Sequence, residues 1–247
     1  MPPKEALFMK KFLGILFLLV IIAAGVCAYI FPGTPYYYKC THELHITDNI
    51  WEKVPDDLPK LNDGYSDFSS MGIRITAWND METVNTSSKD NVTWQNDNGS
   101  HCVNLMMKHQ SENDDFLDRT GITPEDLDQY CKKAEKTTPE NKYEFVKLFA
   151  SITMDDFDIH NFKNSKTFYK LMLCKDDLYS TGEAPAKIYP VDGVGFRGYL
   201  ITDQTDGKKN AVINIYPEKD KKTRYIIDLS VTDQEDVVAV AESIKLT

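Results

Sequence analysis

The chain has 247 residues, of which 28 are Lys or Arg and 38 are Asp or Glu, and its formal net charge is −10. So acidic a surface is repelled by phosphate backbones, which argues against a nucleic-acid partner. The length suits one domain with a substantial core and an additional segment.

The N-terminal part contains the longest apolar segment. Residues 12–31 carry no charge and no strongly polar side chain, and a helix of this length reaches about 30 Å, the thickness of a bilayer's hydrocarbon core. Three lysines precede the segment and one glutamate opposes them. The positive-inside rule therefore keeps residues 1–11 in the cytoplasm as a short stub and sends the rest outside. This pattern predicts a single-pass protein of the cytoplasmic membrane with its C-terminal domain outside.

The apolar segment has two alternative interpretations. Val26-Cys27-Ala28 satisfies the small-residue rule for signal cleavage. In the first alternative, the segment is a signal peptide and the domain is secreted after cleavage near Ala28. A lipid on Cys27 would need a small residue before it, and Val26 is a poor one. Because the apolar character continues through Phe31, an uncleaved anchor is favoured. All three interpretations predict export.

The part after the anchor is predicted to consist of a linker over 32–40 and a domain over 41–247. The 216 residues after Phe31 hold 25 basic and 37 acidic side chains, a formal charge of −12. Such a surface suits a soluble domain held away from anionic lipid heads.

The first part of the domain has the alternation typical of strands and loops. Strands are predicted at 36–47, 73–78, 92–94 and 101–109. Asp97-Asn98-Gly99-Ser100 is typical of a tight turn between the last two.

Between residues 114 and 179 the apolar period becomes helical. Thr123, followed by a proline and two acids, predicts a helix start, since threonine caps the first turn and acids stabilise the positive end of the dipole. Thr138-Pro139 predicts the start of a second helix, and the period over 165–179 predicts a third.

The pattern returns to strands at 186–191, 195–201, 211–216 and 224–231, which polar turns join into a meander. Thr232-Asp-Gln-Glu235 predicts a capping box before a closing helix. The predicted fold class is α+β: an N-terminal transmembrane helix followed by an antiparallel sheet with a helical insertion and a closing C-terminal helix.

Four segments near the C-terminus resemble the end of PsbP-like modules, whose sheet closes with a helix ending in a short "SI" signature. They are Gly198-Tyr-Leu-Ile, Val212-Ile-Asn-Ile-Tyr, Tyr225-Ile-Ile-Asp-Leu-Ser and Glu242-Ser-Ile. The resemblance covers about a quarter of the chain. It implies a non-catalytic binding or assembly factor behind a signal or anchor, and it carries over no functional residue.

Gly193-Val-Gly195-Phe-Arg-Gly198 matches the GxGxxG pattern of dinucleotide-binding proteins. That motif must open a helix whose N-terminus holds the pyrophosphate. The residues after Gly198 are β-rich, so a hairpin is favoured and no cofactor is predicted.

His42-Glu-Leu-His45 partly resembles the HExxH motif of zinc proteases. HExxH places two histidines four residues apart on one helical face. On the predicted strand, His42 and His45 point to opposite faces. Cys40 and His42 would share a face but have no evident third ligand, so no metal site is predicted.

Four cysteines follow the anchor: Cys40, Cys102, Cys131 and Cys174. An oxidising compartment would allow two disulfides in three pairings, whereas a reducing one would leave small buried thiols, and the sequence does not choose between them.

Asn85, Asn91 and Asn98 are formal glycosylation acceptors that matter only in a host that glycosylates.

Charged residues form two further patterns. Acidic pairs occur at 114–115, 155–156 and 176–177; none has EF-hand spacing, and acids are common at helix starts. Lysines cluster around two predicted turns: Lys208, Lys209, Lys219, Lys221 and Lys222, with Arg224 nearby. That patch suits an anionic partner, although lysines that protect a sheet edge are the commoner explanation.

The sequence contains no GxSxG elbow and no papain-like cysteine signature. The leading expectation is therefore a membrane-anchored, non-catalytic binding or assembly module with a protein or envelope partner. The alternative is a membrane-tethered hydrolase with an unrecognised carboxylate or Cys site, which would require a closed pocket of converging groups.

Overall fold

A computed structural model describes residues 3–109, 116–178, 186–205, 208–231 and 234–247. Its helices are α1 (Pro3–Ile30), α2 (Thr34–His42), α3 (Pro124–Lys133), α4 (Lys142–Ser151), α5 (Phe162–Asp176) and α6 (Gln234–Glu242). Its first strands are β1 (Tyr65–Ser70), β2 (Ile73–Trp78), β3 (Glu82–Ser88), β4 (Asn91–Gln95) and β5 (Cys102–His109). The remaining strands are β6 (Lys187–Gly193), β7 (Phe196–Thr205), β8 (Lys208–Pro217), β9 (Thr223–Val231) and β10 (Lys245–Leu246). The predicted α+β class is confirmed.

Helix α1 contains the apolar segment predicted from the sequence. Phe12–Ile30 has a mean hydropathy of 2.8, and none of it is buried against the rest of the chain. The helix is therefore long and apolar enough to cross a membrane, a property that a signal sequence shares.

The prediction of a strand over 36–47 is wrong, and the predicted linker contains helix α2. A proline in the first turn of α2 is compatible with helix initiation, and Cys40 is buried against the other helices. The amide of Gly33 donates to the carbonyl of Ile159 at 2.8 Å, and the ring of Phe31 lies 5.1 Å from that of His160. The domain thus packs directly on the end of α1.

The large sheet has the strand order β3-β4-β5-β9-β8-β7-β6, and all neighbouring pairs are antiparallel. Its C-terminal half is the predicted meander, and helices α3 to α5 are inserted between β5 and β6. The start of that insertion at residue 114, the turn at 206–207 and the first residues of the capping box at 232–233 lie outside the described residues.

A second sheet, of order β1-β2-β10, was not predicted. It joins the chain end to the domain, because Lys245 and Leu246 pair with β2. The hydroxyl of Ser243 accepts a hydrogen bond from the amide of Thr76 at 2.9 Å. The residues after α6 therefore belong to the core structure.

The two faces of the large sheet bury two separate cores. One core lies between the sheet, α6 and β2, and includes Ile75, Leu105, Ile213, Ile227 and Val240. The other lies between the sheet and helices α2 to α5, and includes Cys40, Leu127, Phe168, Ile188 and Tyr199. Strand alternation sends neighbouring residues of β7 and β8 to opposite cores.

Candidate functional site

A cleft of about 380 Å³ opens between the start of α4 and the β8–β9 turn, and we call it the cationic cleft. Its lining residues are Glu140, Asn141, Lys142, Tyr143, Arg197, Tyr216, Pro217, Glu218, Lys221 and Thr223. The side chain of Asn141 caps α4 by accepting from the amide of Glu144 at 3.0 Å. This cap fixes where the helix starts, and it places Lys142 in the first turn.

Three cations line the cleft and a fourth lies behind its wall. The guanidinium carbon of Arg224 lies 5.7 Å from the ring centre of Tyr216, a cation–π distance. Within the described part of the chain, Lys142, Arg197, Lys221 and Arg224 form no ion pair with a carboxylate. Two exposed carboxylates, Glu140 and Glu218, lie at the rim.

The wall of the cleft is a buried polar network. The hydroxyls of Tyr199 and Tyr216 lie 3.3 Å apart, and Arg224 donates through Nε to Oδ1 of Asn214 at 3.2 Å. Tyr199 and Asn214 are both buried. Burial raises the pKa of Tyr199 and of Tyr216 above the ordinary value, so both phenols stay protonated at neutral pH.

Lys142 is a partly buried cation of this cleft. Burial lowers its pKa, as does the positive charge of Arg224, while Cys174 opposes the shift. The ammonium group also lies 5.4 Å from the ring centre of Phe145. An anion in the cleft would relieve this cost, since an opposite charge stabilises a desolvated ammonium group.

The glycine motif lies where a hairpin was favoured. Gly193 ends β6 and Gly195 has φ = +81°, a left-handed conformation that suits glycine in a tight turn. A Cβ at Gly198 would lie 2.5 Å from the carbonyl of Asn214. Strand β7 follows the turn, so the motif opens no helix and holds no pyrophosphate.

The two histidines of the HELH segment are not brought together. Because α2 is a helix, Cys40 and His42 do not share a face, and that expectation is wrong: Cys40 is buried while His42 is exposed and stacks on Tyr38 at 4.1 Å. His45 instead pairs with Asp176, its Nδ1 lying 3.3 Å from the carboxylate.

The described acidic pairs have structural roles. Asp155 and Asp156 belong to a short 3₁₀ helix, Met154–Asp156, that Thr153 caps, as the sequence indicated. Asp176 accepts from the amides of His45 and Ile46, while residues 114–115 lie outside the described residues. No three His, Cys, Asp or Glu side chains of the described ranges could hold one metal ion.

The cysteines are free thiols in the structure. Burial raises the pKa of Cys40 to about 12, and those of Cys131 and Cys174 to about 11. Thiols with such pKa values stay protonated at neutral pH and are weak nucleophiles. Of the two interpretations left open by the sequence, the structure supports buried apolar residues for Cys40 and Cys131.

The lysine patch is not at a sheet edge, so that explanation is wrong. Strands β8 and β9 lie inside the large sheet, whose outer strands are β3 and β6. Lys221 instead lines the cationic cleft and Arg224 lies behind its wall, whereas the side chains of Lys208 and Lys209 lie outside the described ones. Sequence reasoning missed Lys142 and Arg197, which only the tertiary fold brings to this patch.

A comparison of the sequence with protein-family models and with curated proteins finds no match. The function proposed below is therefore based on the geometry and charge of the cationic cleft.

Proposed function

We propose that the protein is a membrane-anchored binding module whose domain works outside the cytoplasmic membrane and takes an anionic group of a protein or envelope partner into the cationic cleft. The observation that carries the proposal is the set of four cations at one cleft without a carboxylate partner among the described residues. These cations belong to a domain whose formal charge is −12, so a positive cluster is unusual on its surface.

The chemistry of the cleft suits a carboxylate or a phosphate. Arg197 supplies a planar fork of donors, and Lys142 and Lys221 supply point charges. Tyr143 and Tyr216 offer aromatic surface beside these donors. A cluster of cations on an acidic surface also restricts anions to one place, which gives specificity to the encounter.

Three features support the topology, the membrane anchor and the binding role in this proposal. The lysines before the apolar segment favour a cytoplasmic N-terminus. The aromatic side chains of Tyr37 and Tyr38 are exposed just after the span, where interfacial rings settle. The resemblance of the last strands to PsbP-like modules implies binding or assembly in place of catalysis.

The alternative of a tethered hydrolase has less support. The raised pKa of Cys174 counts against a cysteine nucleophile. Burial raises the pKa of Asp228, but the groups that act on this carboxyl are Asn104 and Lys108, and neither supplies a second carboxylate.

The test uses the full chain in phosphatidylcholine nanodiscs and isothermal titration calorimetry. The probes are inorganic phosphate, Nα-acetyl-phenylalanine and its neutral amide, the last two differing only in the carboxylate. We expect the anionic probes to bind, with an affinity that falls as salt is added. Arg197→Gln or Lys221→Gln should weaken binding about tenfold, the loss of one charge-assisted contact.

Lys89→Gln is the matched control, because Lys89 is exposed in the turn between β3 and β4. It should leave the affinity unchanged. Equal binding of the amide and the acid, no binding of any anionic probe, or an equal effect of Lys89→Gln would each refute the proposal.

A further inference from the structure

A second cleft, of about 290 Å³, is lined by a buried polar side chain that lacks a partner. Tyr130 is 2% exposed, and its phenol oxygen has no hydrogen-bond partner. Asn164 is also 2% exposed and lines the same cleft. Buried polar groups are normally satisfied, so the unsatisfied phenol of Tyr130 at this cleft points to a ligand.

The charges around this cleft, which we call the acidic cleft, are mostly negative. Its lining residues are Tyr130, Lys133, Ala134, Glu135, Asp155, Asp156, Phe157, Asp158 and Asn164. Asp156 is neutralised by Lys136 at 2.9 Å. Three carboxylates then face the single ammonium group of Lys133, and the cleft favours a cation.

The carboxylates are too dispersed for a metal ion. No three metal-ligating side chains in the described ranges converge on one point. An alkylammonium group fits better, because it donates three hydrogen bonds in different directions. Among the lining residues, Tyr130 and Asn164 each carry an oxygen acceptor, the carboxylates carry further acceptors, and Phe157 supplies apolar surface.

Glu135 lines the cleft at a left-handed backbone position. It follows α3 with φ = +54°, and the amide of Lys136 donates to the carbonyl of Cys131 at 2.8 Å. A helix end of this geometry normally uses glycine at the left-handed position, since a side chain there is strained. The chain nevertheless carries a carboxylate at this point, and that carboxylate lines the cleft.

We propose that the acidic cleft binds a primary alkylammonium group, with Tyr130 and Asn164 as neutral acceptors and Glu135, Asp155 and Asp158 as the balancing charge. The site is separate from the cationic cleft and does not depend on its function. It adjoins Ile159 and His160, which contact the end of α1. An aminolipid headgroup and a soluble amine would therefore both reach it.

The experiment titrates the full chain in phosphatidylcholine nanodiscs with Nα-acetyl-lysine amide. The matched probe is Nα-acetyl-norleucine amide, which lacks only the ammonium group. We expect binding of the lysine probe and none of the norleucine probe. Nanodiscs that contain phosphatidylethanolamine distinguish the two sources: competition with the lysine probe would indicate a lipid headgroup, and unchanged binding a soluble amine.

Two variants separate a binding role from a structural one. Tyr130→Phe removes a hydroxyl that has no partner, so the free energy of unfolding should stay the same or rise, while the Kd for the lysine probe rises about tenfold. Glu135→Gly relieves backbone strain, so it should raise the melting temperature and still weaken binding.

The proposal is overturned if the norleucine probe binds as tightly as the lysine probe, if neither binds, or if Tyr130→Phe and Glu135→Gly both leave the Kd unchanged. Arg197→Gln, which tests the cationic cleft, should not alter binding of the lysine probe. A failure at one cleft is therefore distinguishable from a failure at the other.

Discussion

The two faces of the seven-stranded sheet bury apolar cores that differ in their polar content. The face toward α6 and β2 is packed with aliphatic and aromatic residues such as Leu105, Ile213 and Ile227. The face toward the inserted helices includes Asn214, Tyr199 and the stem of Arg224, and both clefts lie on this helical side of the domain. Burying polar groups is costly unless they are paired. The face toward the inserted helices also buries an apolar core, but it carries these polar groups in addition. We therefore call the other face the apolar face, and both proposed binding sites lie on the helical side.

The largest expected effect on stability comes from a substitution on the apolar face. Ile213→Ala should lower the free energy of unfolding by about 2–5 kcal/mol, because it leaves a cavity in a closely packed core. Val212→Ala is the control, since Val212 is its strand neighbour, points to the opposite face and is only half-buried. Urea titration of the full chain in detergent measures both. If the two variants lost the same free energy of unfolding, the two faces of the sheet would contribute equally to stability.

The next effect is the pH dependence of Lys175, which is fully buried among the helices. Its ammonium group donates to the carbonyls of Asp48 and Ile152, and burial lowers its pKa from 10.5 to about 8. Below pH 8 the folded and unfolded chains are both protonated, and the cost of burying the charge is constant. Between pH 8 and 10.5 the unfolded chain binds more protons, so stability rises with pH.

The comparison for Lys175 is with Lys175→Met, which has no titrating group. Relative to this variant, the wild type should gain about 3 kcal/mol across that window, at about 1.4 kcal/mol per pKa unit. Urea titrations at a series of pH values measure the difference. Parallel stability profiles would show that the buried amine does not titrate there.

The smallest effect concerns the tyrosine pair that forms the wall of the cationic cleft. Tyr199→Phe removes one hydroxyl of the pair and should lower the free energy of unfolding by about 1 kcal/mol, the net value of one hydrogen bond. It should change the affinity for Nα-acetyl-phenylalanine less than Arg197→Gln does, since it removes no charge. A larger loss of affinity for Tyr199→Phe would show that the network itself contacts the ligand.

Strong local patterns predicted much of the fold. The meander, the closing helix and the Thr123 cap follow from apolar alternation, helical periodicity and a capping residue. By contrast, α2 has weak helical periodicity and is stabilised by contact with α5. β1 has mostly exposed or half-exposed side chains, and β10 has only two residues. Their pairing depends on tertiary contacts, which a local pattern does not contain.

The candidate site could be predicted only in part. Lys221 and Arg224 belong to a lysine-rich stretch that the sequence identifies as a patch. Lys142 lies in the helical insertion and Arg197 is the second residue of β7, so each is distant from that stretch in the chain. The unsatisfied state of Tyr130 depends on its burial, and its sequence position on an apolar helix face predicts only a core residue.

The central claim, a domain held outside the cytoplasmic membrane, is tested most directly with Val194→Cys. Val194 is 97% exposed at the tip of the β6–β7 hairpin. Cys40 and Cys131 are buried, and the wild type measures the background labelling of Cys27, Cys102 and Cys174, which are exposed or half-buried. A membrane-impermeant maleimide should label the variant in intact cells as fully as in lysed cells, and the labelled protein should sediment with the membranes. Labelling that appears only after the cells are broken would contradict the account.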